Sequence, residues 1–297
     1  MDNFDDILNN APEKEQNENP QLSKEEYAAK KREERDSLFA LSNDTASDVT
    51  DNSEKFLEYL DLQSKFDRYS AVNTLLILAQ KPEATRLGDF DHWKKNNASV
   101  KTGETGISIL EPHEYTKEDG SLGVGYNIKK VFDISQVHTQ RIKADLPAPK
   151  YTERQMLQAL VNKAPVTIRS VDVLEGSAGA QTNPDTGEIT VRKGMEFSDT
   201  FSSVAKELAA AQLEPSQETR FDTDFASYCV SYLLCKKYRV DTKSFNFKDA
   251  PNEFKYFEVK ESKATLQVFR DTFSDISGRM NKQLESLQKS ARNVEAR

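Results

Sequence analysis

The chain has 297 residues, 36% of them hydrophobic and 30% charged, with a mean hydropathy of −0.73. That length supplies two modest domains or one large one. No apolar run approaches the ~18 residues that a membrane span needs, and the acidic start (Asp2, Asp5, Asp6) is unlike a signal peptide. Membrane and secreted classes are therefore set aside in favour of a cytoplasmic protein. The net charge of −8 is uneven: residues 1–54 hold 15 Asp/Glu and 6 Lys/Arg, a net of −9, which leaves 34 acids and 35 bases in the remainder. A body so balanced lacks the bulk positive charge of an obvious nucleic-acid binder, although a local basic groove stays compatible with it. Cys229 and Cys235 lie six apart in an expected helix, so they read as reduced core residues rather than a disulfide framework or metal knuckle. His92, His113 and His138 match no metal-ligand spacing, and no metal or cofactor is expected.

Residues 1–53 read as a disordered acidic arm, because Asn, Asp, Glu, Ser and Lys bury too little apolar surface to offset their ordering entropy. Within the arm, Ser23-Lys24-Glu25-Glu26 resembles a capping box and opens an isolated charged helix to about Phe39. Such an arm serves as a solubilising tail or imitates the charge of nucleic acid. Order begins near Glu54. Phe56, Leu57, Leu60, Leu62 and Phe66 recur at helical spacing, and the apolar run from Val72 to Ala79 makes a second helix beyond a turn at Asp67-Arg68-Tyr69-Ser70.

A third helical segment holds Phe90, Trp93 and Lys94. Three strands follow, at residues 107–110, 126–128 and 131–134, with turn residues from Lys117 to Gly125 between the first two. Leu146-Pro147-Ala148-Pro149 reads as a stiff linker and domain boundary. Beyond it the expected order is helix 152–163, strand 166–173, strand 188–191, then helices 199–213 and 222–238 on either side of Pro215. Leu266, Phe269, Phe273, Ile276, Met280, Leu284 and Leu287 share one helical stripe whose polar side mixes both charge signs, which marks a docking or coiled face rather than a lipid-binding one. The expected fold is α+β. It has a helical and antiparallel-sheet domain at 54–146, a second helical domain with a short sheet at 150–250, and an amphipathic helix region at 251–297.

Single-strand binding needs aromatic faces for stacking and cations along a groove. Tyr69, Trp93 and Tyr126 are candidates for the first role, and Arg68, Lys94, Lys95, Lys101, Lys129 and Lys130 for the second. Trp93, the only tryptophan, has a competing reading as a core anchor, and Gly103 and Gly106 most simply serve a tight turn. Taken in order, Tyr69-Ser70-x-x-Asn73, Trp93-Lys94, Val100-Lys101-Thr102-Gly103-Glu104-x-Gly106 and Val131-Phe132-Asp133-Ile134-Ser135-Gln136 cover most of residues 55–140. In that order and spacing the sequence resembles the N-terminal domain of ArdC-type antirestriction proteins, which conjugative plasmids and related mobile elements encode. The resemblance implies single-stranded DNA as the ligand, with Asn73 and the nine residues above as its binding set.

A second stretch, Val204-Ala205-Lys206-Glu207-Leu208-Ala209-Ala210-Ala211-Gln212-Leu213, follows two expected strands. It resembles the zinc-metallopeptidase helix of the ImmA/IrrE type, which ArdC-type proteins carry after their DNA-binding domain. An active zincin places His at i and i+4 on one helix face, and the Glu beside the first His acts as general base on metal-bound water. Those positions are Lys206, Glu207 and Ala210, and the acidic third ligand falls at Asp222 or Asp224. With both histidines absent, the resemblance implies a zincin-like pseudo-metallopeptidase that keeps its fold without its chemistry. Lys206 then pairs with Glu207, Asp222 or Asp224, or simply points to water. An ordinary amphipathic helix that happens to contain Lys-Glu-Leu-Ala is the plainer alternative.

The function expected is a non-enzymatic, single-strand-DNA-binding, antirestriction-like protein of a mobile element or phage, which protects DNA or counters host defence. Its partners would be single-stranded DNA and a host restriction or defence protein, with no membrane. Two alternatives stand beside it. One is an interaction module that binds a host defence or regulatory protein without touching DNA. The other is a residual hydrolase that uses Glu207 with a metal held by unforeseen ligands.

Overall fold

A computed structural model describes residues 23–117, 119–138, 151–176, 178–213 and 221–295, with side chains as far as residue 289. The first 22 residues, the linker at 146–149 and the break at Pro215 lie outside the described residues. The fold is α+β. Helix α1 (Lys24–Asp51) starts at the capping box read from sequence: Glu26 N–H donates to Ser23 Oγ at 3.2 Å and Ser23 N–H to Glu26 Oε2 at 2.8 Å. It is neither short nor isolated. Leu38, Ser42, Ala46, Val49 and Thr50 are buried at helical spacing, and that face packs on the next two helices. The arm expected over 1–53 is corrected accordingly, since residues 24–51 belong to the folded body. Composition conceals this because the buried stripe is small and partly polar. Its hydroxyls satisfy themselves on their own helix, Ser42 on Phe39 O at 2.8 Å and Thr50 on Ala46 O at 2.9 Å.

Asn52 and Ser70 cap α2 (Ser53–Lys65) and α3 (Ala71–Gln80), and Asp89 caps the short α4 (Phe90–Lys95). The turn between α2 and α3 is closed by buried Gln63, whose Nε2 donates to Phe66 O at 3.0 Å. Strands β1 (Leu87–Gly88), β3 (Ile107–Thr116) and β4 (Leu122–Asp133) form an antiparallel sheet in the order β1-β4-β3, and β2 (Ser99–Val100) pairs with β5 (Val137–His138). The separate strands expected at 126–128 and 131–134 are one strand. The ladder runs unbroken from Ile107↔Val131 to Thr116↔Leu122, so the hairpin extends well beyond the apolar residues that mark its base.

The second half opens with α5 (Glu153–Val161). Its sheet has the order β6-β8-β7: β6 (Ile168–Val171) runs parallel to β8 (Ile189–Arg192), and β7 (Ala180–Thr182) antiparallel to it. Helix α6 (Phe197–Ala210) packs on β7, β8 and α7 (Thr223–Tyr238); α8 (Ala250–Phe254) and the long α9 (Val259–Glu295) follow. Among the described residues no helix is long and apolar enough to cross a membrane.

The halves do not have separate cores. Phe56, Tyr59, Leu60, Ala71 and Leu75 of α2 and α3 are buried in one cluster with Phe201, Leu208, Leu233, Phe269, Phe273 and Met280. The stripe on α9 thus docks within its own chain, with Leu266 through Leu284 buried and Leu287 half-buried. Polar ties reinforce the joint. Lys237 pairs with Asp67 at 2.5 Å, Tyr232 OH donates to Asp61 at 2.6 Å, and Ala71 N–H donates to Gln267 Oε1 at 2.9 Å. Three smaller clusters, one of them around Trp93 and Phe132, complete the first half. Cys229 and Cys235 are free and buried on α7; burial pushes the Cys235 thiol up to about 12 and that of Cys229 well above its ordinary value.

Candidate nucleic-acid interface and a second cleft

A cleft of about 310 Å³ opens between the α2–α3 turn, the β1–α4 connection and the base of the β3–β4 ladder. Arg68, Tyr69, Asn73, Asp89, His92 and Lys129 line it. Arg68 is exposed and has no hydrogen bond or ion pair among the described residues. Tyr69 is half-buried with its ring edge-on to Phe66 at 5.7 Å, and burial raises its hydroxyl pKa. Lys129 bridges Asp89 and Glu111 at 3.1 Å each, and those carboxylates hold its ammonium above the ordinary value. Asp89 is lowered in turn by the His92 N–H that it caps and by Lys129. Lys129 against Asp89 and Glu111 leaves one negative charge, which Arg68 offsets, so the cleft is neutral overall while the Arg68 guanidinium itself keeps its donors unengaged.

Asn73 belongs to the cleft wall, and the other candidates are dispersed. Asn73 is buried and clamps β3: its Nδ2 donates to Leu110 O, and Leu110 N–H donates to its Oδ1, each at 2.8 Å. Asn73→Ala is expected to cost about 1–3 kcal/mol for each backbone group left unsatisfied, read as a lower urea midpoint at unchanged slope. Trp93 is fully buried, and its Nε1 donates to Phe132 O at 3.0 Å. Its expected role as a stacking surface is thereby corrected to that of a core anchor. Tyr126 and Lys130 share the face of β4 opposite to Lys129. There Tyr126 meets Phe39 edge-on at 5.5 Å, and Lys130 donates to Ser108 Oγ. Lys101 is occupied with Ser135 O at 2.7 Å. Lys94 and Lys95 stand exposed on α4 without partners among the described residues.

The motif at residues 131–136 is a structural knot. Buried Asp133 accepts the N–H groups of Thr85 at 2.7 Å and of Arg86 and Ser135 at 2.9 Å. Gln136 accepts Asp133 N–H at 2.9 Å and donates to Thr105 O at 2.8 Å. Gly103 sits at φ +83°, and a Cβ on Gly106 would lie 2.9 Å from the Phe132 ring, so both glycines serve the backbone. Burial opposes charge on Asp133, but the N–H groups of Arg86, Ser135 and Thr85 outweigh it and leave the carboxyl lowered. Its stabilising contribution is therefore complete above the unfolded value of about 3.9 and is lost as pH falls through the lower folded value. Asp133→Asn should flatten the acid-side loss of stability, measured by denaturant titrations across that range.

Two rings escaped the sequence reading. His113 and Tyr115 are exposed on β3, on the face that carries Lys129, with centroids 6.4 Å apart. Their cross-strand partners are Gly125 and Gly123, where a Cβ would fall 2.6 Å from His113 Nε2 and 2.7 Å from Tyr115 Cζ. His-x-Tyr opposite Gly-x-Gly was available as a signal, but it needs the strand register, and the glycines read as turn residues.

A second cleft, of about 500 Å³, has Lys206, Asp222, Asp224, Tyr228, Asp249 and Glu253 in its wall, whereas Glu207 and Ala210, which the resemblance to a peptidase helix singles out with Lys206, do not line it. Lys206 Nζ pairs with Asp224 Oδ1 at 2.5 Å, Asp222 caps α7, and Ala210 is half-buried. Glu207 turns to the sheet instead and accepts from Thr182 Oγ1 at 2.6 Å. Burial and the nearby Asp222 raise the carboxyl of Glu253. Among the described residues no three His, Cys, Asp or Glu are grouped so that they could hold a metal ion. Lys206→Ala is expected to shift stability by no more than about 1 kcal/mol, because the Asp224 side chain is 79% exposed; calorimetric melting measures it.

Residues 40–146 match the family model described as the N-terminal domain of anti-restriction factor ArdC. Two solved structures are similar to the chain: the antirestriction ArdC protein from R388 plasmid in its metal-free and Mn(II)-bound structures, both at 14% identity. Their TM-scores are 0.47 and 0.46, over 73% of this chain and 86% and 85% of theirs. No curated protein matches the chain.

Proposed function

We propose that this chain, whose residues 40–146 match the ArdC N-terminal domain, is a non-enzymatic antirestriction-like protein that holds single-stranded DNA. The observation that carries the reading is the unpartnered Arg68 beside half-buried Tyr69 at the mouth of a cleft within that matched region. The planar fork of the guanidinium can donate to the oxygens of a backbone phosphate. Occupancy of the strand, rather than chemistry on it, is the mode of action.

The second cleft supports the non-enzymatic part. A zinc site needs neutral imidazole or anionic donors, and here an ammonium occupies the first donor position while alanine occupies the second. The surviving Glu207 is engaged by Thr182 rather than directed at a water. The donor set present does not fit a catalytic metal, so no hydrolytic step is assigned to it.

Of the six candidate cations three are engaged within the fold, Lys101, Lys129 and Lys130, and the other three set the salt dependence. Arg68, Lys94 and Lys95 have no partner among the described residues. At about 0.7 per phosphate on a single strand, three contacts give a log–log slope near −2, about a 20-fold loss between about 50 and 200 mM salt. Fluorescence anisotropy with labelled single-stranded and duplex DNA tests this on the full chain. Tighter binding of the single strand with that slope is expected, and Arg68→Ala should weaken binding and flatten the slope by about 0.7. Absence of binding, or equal affinity for duplex, would overturn the reading and leave the balanced cleft to a protein partner.

A further inference from the structure

Beyond the cleft, the β3–β4 hairpin keeps pairing while its residues become exposed on both faces. On the face that carries Lys129, the row continues outward through Glu111, His113 and Tyr115. Same-face residues on a strand recur about every 6.8 Å, and the two ring centroids are 6.4 Å apart. Opposite each ring lies a glycine without a side chain to prop it upright, so each ring rests over the backbone of its neighbour. The far edge of each ring reaches over its glycine, the two ring planes are inclined 47° to each other, and both rings stay accessible, with Tyr115 48% exposed.

We infer that His113 and Tyr115 form a two-base stacking shelf that extends the cleft along the hairpin. The inference rests on the single-strand reading above and adds to it a subsite outside the cleft. The class of ligand is fixed by the surface. Unpaired bases offer flat faces to both rings, whereas a duplex keeps its faces stacked inside. Every base has a π-face, so stacking on the two rings is tolerant of sequence. Arg68 then grips the backbone, and the rings contribute affinity that does not fall with salt.

The test uses the full chain, a short oligodeoxyadenylate, and an abasic strand of the same length. Tyr115→Leu combined with His113→Leu keeps an apolar cover over the glycines and removes the stacking faces. The double variant is expected to bind the intact strand at least about fivefold more weakly per ring, with the salt slope unchanged. On the abasic strand, variant and native protein should bind alike, which a merely structural role of the rings would not produce. Equal affinity of variant and native protein for the intact strand, or an equal loss on the abasic strand, would overturn the shelf while leaving the cleft intact. Failure of the native protein to bind any single strand would remove the cleft reading and the shelf together.

Discussion

Removing α9 (residues 259–297) is expected to unfold the first half as well as the second. A domain boundary near residue 146 would predict the opposite, a stable fragment that ends there. The packing decides between them. Phe56, Tyr59, Leu60 and Leu75 are buried at 0–1% exposure in the cluster to which Phe269, Phe273 and Met280 of α9 belong. Helix α9 packs on α1 and α3 of the first half as well as on α5 and α7 of the second, so without it the apolar faces that Phe269, Phe273 and Met280 cover in both halves would meet water. At about 1.5–3 kcal/mol for each large side chain, a marginal net stability cannot absorb several such losses. The ties from Lys237 to Asp67 and from Gln267 to Ala71 N–H would be strained or lost as well. Far-ultraviolet circular dichroism and hydrogen exchange on the truncated chain would check this; cooperative melting with native-like protection in residues 53–138 would refute it. A milder version is Phe273→Ala, at about 3–5 kcal/mol, which should lower a single transition rather than separate two.

Trp93→Ala should cost about 3–5 kcal/mol and leave the affinity of the folded fraction for single strands nearly intact. The indole fills a small cluster with Ala98, Phe132 and Val137, and its loss also leaves the Phe132 carbonyl without its donor. The contrast with Tyr115 separates stability from binding: one aromatic is inside the fold and the other on its surface. Denaturant titration gives the first quantity, and anisotropy on the same samples gives the second. A large loss of affinity at unchanged stability would contradict the burial of Trp93.

How much of this was legible in the sequence follows from what pattern encodes. The capping box at Ser23, the turn at residues 67–70 and the α9 stripe were readable because each is a local signal with its own chemistry. The burial of α1 was not, since a face of Leu, Ser, Ala, Val and Thr looks polar until its neighbours are known. The motifs pointed to the domain whose family model matches residues 40–146, but several motif residues turn out to brace the backbone. Asn73, Trp93, Lys101 and Asp133 hold backbone groups, so a sequence pattern that marks a family marks its knots as readily as its binding surface. Arg68, Tyr69, Asn73 and Lys129 do converge, whereas Tyr126 and Lys130 lie on the other side of the same strand because side chains alternate there. The exposed rings on the hairpin needed the register, which no local signal supplies.

The chain's only tryptophan and its only two cysteines are all buried, and they lie in different halves. The protein thus carries two intrinsic reporters, indole emission for the cluster beside the sheet of the first half and thiol alkylation for the shared core around α7. Because burial holds both thiols protonated, a thiol reagent samples them only when that core opens. In one denaturant series, coincident curves from the two reporters would mean that a ligand gripping the first half also slows alkylation on α7, so occupancy could be followed without any label.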